Sequence, residues 1–215
     1  MDSQQAPLRL AVLVSGSGSN LQALIDAIER QQLPEAEIAL VISSRADAYG
    51  LQRALKHRIP TVYLPWNRSQ RLEAEARTLA LLRLFEIDLL VLAGFMRIFS
   101  PGFVDQFPRR IINLHPALLP DSGMGDTFVT SDGTTIPVFR GLHVLQHALD
   151  AGLKVTGSTV HYVIPELDAG PVLCRREVPI EPGDTEETLQ KRVKQAEHRL
   201  IVEAVKKHYQ ERGRR

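Results

Sequence analysis

Along the first half of the chain, short apolar runs alternate with longer stretches whose apolar residues recur every three or four positions. Arg9–Ser15 (RLAVLVS) runs straight into Gly16-Ser17-Gly18-Ser19-Asn20. Leu21, Leu24, Ile25 and Ile28 then follow at i, i+3, i+4 and i+7, the spacing of one helical face. The pattern reads as strand, glycine turn, helix. Further buried strands are predicted over Glu37–Ile42, Pro60–Leu64, Asp88–Leu92 and Arg110–Leu114, with helices over Ala46–Leu55 and Arg71–Phe85. Such alternation predicts βαβ units and therefore an α/β fold on an open, mostly parallel sheet.

The second half changes character. Leu142–Leu149 reads as a helix, and Gly157–Val163 and Val172–Val178 as strands joined by Pro- and Gly-rich turns. Asp184 and Glu187 have the spacing of a capping box, and Leu189, Val193, Ala196, Leu200 and Ala204 then keep one face to about His208. Asp121–Arg140 breaks the alternation. There Asp132-Gly133 sits between the β-rich flanks Thr127–Thr130 and Thr134–Phe139, a hairpin signal. No repeat or linker divides the chain, so a single domain over residues 1–215 is expected, with this hairpin-like segment at about 121–140 as an insertion.

Composition narrows the class. A hydrophobic fraction of 44% with 24% charged residues supports a sizeable buried core. Twenty-six Lys+Arg against 25 Asp+Glu leave a formal charge of +1, which gives no reason to expect nucleic acid or an anionic membrane as partner. Cys174 is the sole cysteine, so there is neither an intrachain disulfide nor a cysteine metal cluster, as suits a reducing cytoplasm, the expected location. No apolar stretch approaches the roughly 20 residues of a membrane span. The basic end, Lys206, Lys207, Arg212, Arg214 and Arg215, reads as a solvated helix terminus.

Three clusters carry candidate chemistry. Gly16-x-Gly18 before a helix gathers free N–H groups at the positive end of the helix dipole, and Ser19 and Asn20 add side-chain donors. Leu21 stands where a dinucleotide fingerprint needs its third glycine, and no Gly-Lys-Ser/Thr follows, so a small phosphate is favoured. Ser43-Ser44-Arg45 keeps open a 2′-phosphate and hence an NADP-binding alternative. Asn113-x-His115-Pro116 lies where a strand should end, the usual place for sites in open parallel sheets. Asp168-Ala169-Gly170-Pro171, reached through His161 and Glu166, supplies a carboxylate that can pair with histidine for acid/base work. His143 and His147 share a helical face but lack a convincing third ligand, so no metal is expected.

Five segments together resemble the phosphoribosylglycinamide formyltransferase family. They are Ser15-Gly16-Ser17-Gly18-Ser19-Asn20-Leu21-Gln22, Ala93-Gly94-Phe95-Met96-Arg97-Ile98, Ile112-Asn113-Leu114-His115-Pro116-Ala117-Leu118-Leu119-Pro120, Leu167-Asp168-Ala169-Gly170-Pro171 and Gln195-Ala196-Glu197-His198. The resemblance implies a Rossmann-like formyltransferase fold, helices on both sheet faces and an antiparallel strand towards the C-terminal half. It implies 10-formyltetrahydrofolate as co-substrate and glycinamide ribonucleotide as acceptor in purine biosynthesis. Gly18, Ser19 and Asn20 would hold the phosphate and Glu197 the ribose hydroxyls. Met96, Arg97, Ile98, Phe99 and Val104 would line the pterin site. Asn113, His115 and Asp168 would surround the formyl carbon, with Asn113 and a protonated His115 as oxyanion donors and Asp168 relaying the proton. A monomer or homodimer is expected.

This sequence departs from the family at one place. The family passes from Leu-Leu-Pro to Gly-x-His within a few residues, whereas about seventeen more separate Pro120 from Gly141 here. The insertion would be a lid, an interface element or a decoration. Other formyl-folate enzymes are the nearest alternatives. A tRNA formyltransferase would need a further C-terminal domain and a hydrolase an N-terminal one, and neither is expected.

Overall fold

The computed structural model describes residues 6–212, so Arg214 and Arg215 of the basic end lie outside the described residues. The strands are β1 (Leu8–Val14), β2 (Ala36–Ser43), β3 (Thr61–Tyr63), β4 (Leu89–Leu92), β5 (Ile111–His115), β6 (Thr127–Val129), β7 (Thr135–Pro137), β8 (Val155–Tyr162) and β9 (Val172–Pro179). The helices are α1 (Ser19–Glu29), α2 (Tyr49–Lys56), α3 (Arg71–Leu84), the single turn α4 (Pro101–Val104), α5 (Val144–Asp150) and α6 (Glu186–Arg212). Seven strands form one sheet in the order β3-β2-β1-β4-β5-β8-β9, parallel up to β5 and antiparallel from there on. The mostly parallel α/β sheet is thus the expected one, with two antiparallel strands at its C-terminal edge. The segment expected to be an insertion forms its own two-stranded sheet, β6 with β7, turning at Asp132-Gly133.

Continuous apolar strands are what a sheet buried on both faces requires. Leu8, Leu10, Val12 and Val14 of β1 enter a core with Leu21, Leu24 and Ile25 of α1 and Leu200, Ile201, Ala204 and Val205 of α6. Ala11 and Leu13 point the other way, towards Ala74 and Leu82 of α3 and a cluster of aromatic rings. Alternate side chains of one strand thus serve opposite layers, as the period of two demands. The aromatic cluster is Trp66, Phe95, Phe99, Phe103 and Phe107, with Phe99 stacked on Phe103 at 4.1 Å and Trp66 edge-on to Phe99 at 5.1 Å.

The chain order reverses between β1, whose successor β2 lies on one side, and β4 on the other. The loops leaving these two strands therefore diverge and open a crevice at their carboxyl ends. Ser15 joins them: its hydroxyl lies 2.8 Å from that of Ser44 and accepts the Met96 N–H at 3.0 Å. The loop after β4 is pinned at its far end by Glu75, a buried carboxylate on α3 that accepts both the N–H and the hydroxyl of Ser100.

Two local expectations change. The cap of α6 is one residue later than predicted: Thr185 and Thr188 exchange hydroxyl-to-N–H bonds of 3.3 and 3.0 Å. Asp184 is instead drawn into an ion pair with Arg192 at 2.6 Å. The helix predicted from Ala46 starts at Tyr49, because Arg45 turns back onto Asp47 and the Ser43 hydroxyl accepts the Arg45 N–H.

Beneath α6, the Tyr162 hydroxyl lies between His208 Nδ1 at 2.9 Å and Glu211 at 3.3 Å. Burial is the main reason the tyrosine is pushed up to about 12 and His208 down to about 4. An unfolded histidine titrates near 6.5, so between these values the unfolded chain binds the extra proton and stability falls as pH drops through that window. The full effect is on the order of 3 kcal/mol. His208→Gln keeps a hydrogen-bonding group and is expected to flatten the loss of stability between pH 6.5 and 4.5 in urea titrations. An unchanged slope would show that His208 is not the group responsible.

Candidate active site

The turn after β1 is shaped by one close approach. Gly18 has φ +68, and a Cβ there would lie 2.6 Å from the Gly50 Cα at the start of α2. The Gly50 N–H also bonds the Gly16 carbonyl at 3.1 Å. Only glycine fits, and the turn delivers α1 with its end facing outward. Gly18 is the N-cap residue, no side chain caps the helix, and its first turn holds no acid. The first helical bond is Gln22 N–H to Gly18 carbonyl, so the N–H groups before it remain for an anion.

Asn20 and Glu197, far apart in sequence, meet here. Asn20 Nδ2 donates to Glu197 Oε2 at 2.9 Å, and Lys194 donates to the same oxygen at 2.6 Å. Both partners are only 2% exposed, and Asn20 Oδ1 is buried without a partner. Glu197 therefore fixes the Asn20 side chain as a strut between α6 and the turn. Ser43 and Ser44 are spent on internal hydrogen bonds, and Arg45 is paired with Asp47. The trio that kept a 2′-phosphate open is thus used within the protein.

Of the five residues expected on the pterin side, Met96, Arg97 and Ile98 are exposed at the crevice, Met96 by 61% and Ile98 by 62%. Phe99 and Val104 are buried in the aromatic core and form its floor. Any contact they make with a ligand falls to backbone. Leu142 and Leu167 are further exposed apolar side chains, each beside a segment that reaches Asp168.

The third cluster lies across the β5–β8 pair. Asn113 and His115 alternate on one face of β5, and the antiparallel register places His161 opposite Asn113. His161 Nδ1 bonds the Tyr162 carbonyl at 2.9 Å, so it carries the hydrogen and Nε2 accepts from Asn113 Nδ2 at 3.2 Å. Asn113 Nδ2 also reaches Asp168 Oδ1 at 3.3 Å. Asp168 Oδ2 accepts the Gly141 N–H at 3.0 Å and lies 3.4 Å from His115 Nδ1. The carboxylate is 7% exposed on a residue with φ +48, a left-handed conformation that costs a non-glycine residue on the order of 1 kcal/mol or more.

Burial raises the Asp168 carboxyl, but the neighbouring imidazoles and the Gly141 N–H outweigh it, and the group lies below the usual carboxylate range. His115 shows the opposite balance. It is 3% exposed, and burial lowers it by more than Asp168 and the Phe139 carbonyl raise it. Burial thus works against the expected protonated state of His115, while the acceptors at both of its ring nitrogens favour it. Its Nε2 donates to the Phe139 carbonyl at 2.8 Å, leaving Nδ1 towards the carboxylate. The expected trio is thus brought together, and His161, Phe139 and Gly141 are added. Periodicity places His161 and Thr159 on one strand face, but no sequence signal gives the register that sets His161 against Asn113. Neither half of the His143/His147 pair belongs to this cluster: His143 caps α5 and His147 packs beside Phe139. Among the described residues no group of three or more His, Cys, Asp or Glu is placed to hold a metal, and no helix is long and apolar enough to cross a membrane.

One consequence can be read directly. Imidazole ¹⁵N spectra at pH 7 are expected to show His115 as the neutral tautomer with hydrogen on Nε2; an imidazolium signature would contradict it.

The comparisons agree with this geometry. The formyl transferase family model matches residues 8–205. The chain is 39% identical over 199 residues to the phosphoribosylglycinamide formyltransferase of Haemophilus influenzae, covering 92% of this chain and 85% of that enzyme. It is likewise 39% identical over 203 residues to the trifunctional purine biosynthetic protein adenosine-3 of Gallus gallus, covering 94% of this chain but 18% of that protein. The crystal structure of glycinamide ribonucleotide transformylase 1 from Symbiobacterium toebii superposes with a TM-score of 0.81 at 36% identity, over 95% of this chain and 89% of that one. With a family match across nearly the whole described chain and the same sheet, this chain belongs to the formyl transferase family, with phosphoribosylglycinamide formyltransferases among its relatives.

Proposed function

We propose that this protein transfers the formyl group of 10-formyltetrahydrofolate to the primary amine of 5-phosphoribosylglycinamide, a step of purine biosynthesis. One observation carries the reading: an ionised, nearly dry Asp168 beside Asn113, His115 and His161, at the same sheet end as an uncapped helix N-terminus. The first part suits proton transfer at a carbonyl addition, and the second suits a phosphomonoester.

In this reading the phosphate of the ribonucleotide caps α1 through the N–H groups following Gly18, with the Ser19 hydroxyl beside them. Asn20 is held for the same site by Glu197, which also offers its carboxylate to the ribose. The formyl-folate lies along the exposed Met96, Arg97 and Ile98, where an apolar rim and free backbone groups suit a planar heteroaromatic ring. The fit needs no metal.

The reaction forms a bond from the amine nitrogen to the formyl carbon and then breaks the bond from that carbon to the folate nitrogen. An amine with pKa near 8 is about one-tenth neutral at pH 7, so binding it unprotonated costs only about 1.4 kcal/mol. Stabilising the oxyanion is the larger demand, since one placed donor is worth roughly 2.7–4 kcal/mol. Asn113 supplies that donor through the Nδ2 hydrogen that makes only the longer contact with Asp168. Asp168 takes the proton lost by the amine and returns it to the departing folate nitrogen, directly or through a water.

His115 is ready to share that proton. Its two nitrogens face two acceptors, the Phe139 carbonyl and Asp168 Oδ2, which is the environment of an imidazolium. Burial keeps the ring neutral at rest, and a proton passing through Asp168 can be held between Oδ2 and Nδ1. The histidine then acts as a reservoir during turnover instead of standing charged beforehand.

The test is release of tetrahydrofolate from 10-formyltetrahydrofolate with and without the ribonucleotide. Release only in its presence is expected; release with water alone would favour a hydrolase. Asp168→Asn should leave ribonucleotide affinity within a few-fold while turnover falls by about 100-fold or more, the range of general acid–base catalysis. Turnover surviving within a few-fold would remove Asp168 from the mechanism.

A further inference from the structure

The segment expected to be an insertion, with Gly141 just after it, reaches the site through three consecutive residues. Phe139 accepts from His115 Nε2 at 2.8 Å, and Gly141 donates its N–H to Asp168 Oδ2 at 3.0 Å. Between them, Arg140 sends its side chain to the backbone of the Asp168 turn. Its Nε donates to the Asp168 carbonyl at 3.1 Å, and its Nη2 donates to the carbonyls of Gly123 and Gly125 at 2.8 and 2.7 Å. A single guanidinium therefore joins the entry of the insertion, its exit and the turn carrying the carboxylate.

The entry of the insertion is packed flush against that turn. A Cβ on Gly123 would lie 2.1 Å from the Gly170 carbonyl oxygen and 2.4 Å from that of Ala169. The Asp121 carbonyl accepts the Val172 N–H at 3.0 Å, just past the same turn. On its other side, Gly170 leaves no room either, since a Cβ there would meet the Tyr162 carbonyl oxygen at 1.7 Å. The Asp168 turn is thus held between β8 and the insertion. The hairpin beyond is itself anchored, because the Ser131 N–H and hydroxyl donate to Glu177 on β9 at 2.7 and 2.6 Å.

We propose that Arg140 is a positioning residue for formyl transfer: it holds the left-handed Asp168 backbone so that the carboxylate meets Asn113, His115 and the bound amine. The proposal rests on the functional reading above. A flexible Asp168 turn would keep its sequence but lose its aim, because a left-handed aspartate has no intrinsic preference to stay there. The guanidinium suits this task. It is planar, always charged, and its donors meet three carbonyls that no other side chain satisfies as a set. Arg140 also faces His115, together with Asp168 and His161, and its charge helps to keep that imidazole neutral.

Arg140→Met removes the donors and the charge while keeping the apolar stem; Arg140→Lys keeps charge but not the fork. The expected result for Arg140→Met is a kcat lower by about 10–100-fold, as for loss of groups that orient a reacting one. KM for the ribonucleotide should stay within about two-fold, since α1 is untouched, by analogy with interactions made only in the transition state. The acid limb of the kcat/KM profile should move to higher pH, because the cation facing His115 is gone. Arg140→Lys should restore the pH profile but only part of kcat, and added guanidinium should raise kcat of the methionine variant.

A kcat within two-fold of the parent protein in Arg140→Met overturns the proposal. So does a loss that follows the unfolded fraction, with pH profile and rescue unaffected, which would make the arginine only a fold element. If Arg140→Met does not fold, the lysine variant carries the test, and full kcat there overturns the proposal equally. If the parent protein shows no ribonucleotide-dependent transfer, the functional reading itself fails. Positioning alone fails where the parent transfers normally and the Arg140 variants match it.

Discussion

Asp168 must stay ionised while almost out of water, and the second half of the structure is arranged around that requirement. A buried carboxylate without partners would protonate, since desolvation opposes the charged form. Here the compensation comes from a backbone N–H of Gly141 and a side-chain amide of Asn113, with two imidazoles beside the carboxylate. Among the described residues no Lys or Arg pairs with its oxygens, although Arg140 binds its main-chain carbonyl. Such a group is anionic enough to take a proton and poorly enough solvated to give it back. That combination suits a reaction in which one proton moves from an attacking to a departing nitrogen.

The sheet explains how this carboxylate and the start of α1 come to lie at the carboxyl ends of the parallel strands. The reversal of strand order between β1 and β4 spreads two loops apart, and the antiparallel register of β8 on β5 sets His161 beside Asn113, which the Asp168 carboxylate also reaches. Ser15 ties the two diverging loops together, so the uncapped end of α1 and the exposed Met96–Ile98 segment keep a fixed relation. Charge enters locally. A formal total of +1 is compatible with anionic ligands because recognition is carried by helix-end N–H groups and a few side chains.

The insertion illustrates a limit of pattern reading. Asp132-Gly133 between β-rich flanks correctly announces a hairpin, because turn chemistry is local. Nothing in that pattern tells whether the hairpin stands away from the protein or leans on it. Its contacts with His115 and the Asp168 turn come from Phe139, Arg140, the adjoining Gly141 and Gly123, residues whose sequence neighbours give no hint of Asp168. The same holds for Thr185: the capping box was legible as a type, yet Arg192, two turns along α6, claimed Asp184 and moved the cap by one residue.

The chain by itself determined the α/β class, the order of the main strands and helices, the anion-ready turn at Gly16–Asn20 and the residues Asn113, His115 and Asp168. These follow from short-range rules: apolar periodicity, glycine where the backbone turns sharply, and polar groups where strands end. Only the tertiary structure decided the burial of His115, the presence of His161 beside Asn113, the burial of Phe99 and Val104 beneath the crevice, and the union of Asn20 with Glu197. Each depends on strand register or on how much water is excluded, and both are set by elements distant in sequence. A histidine next to an aspartate reads as charged until its burial is known. Here desolvation outweighs the neighbouring carboxylate and holds the ring below the value of a free histidine.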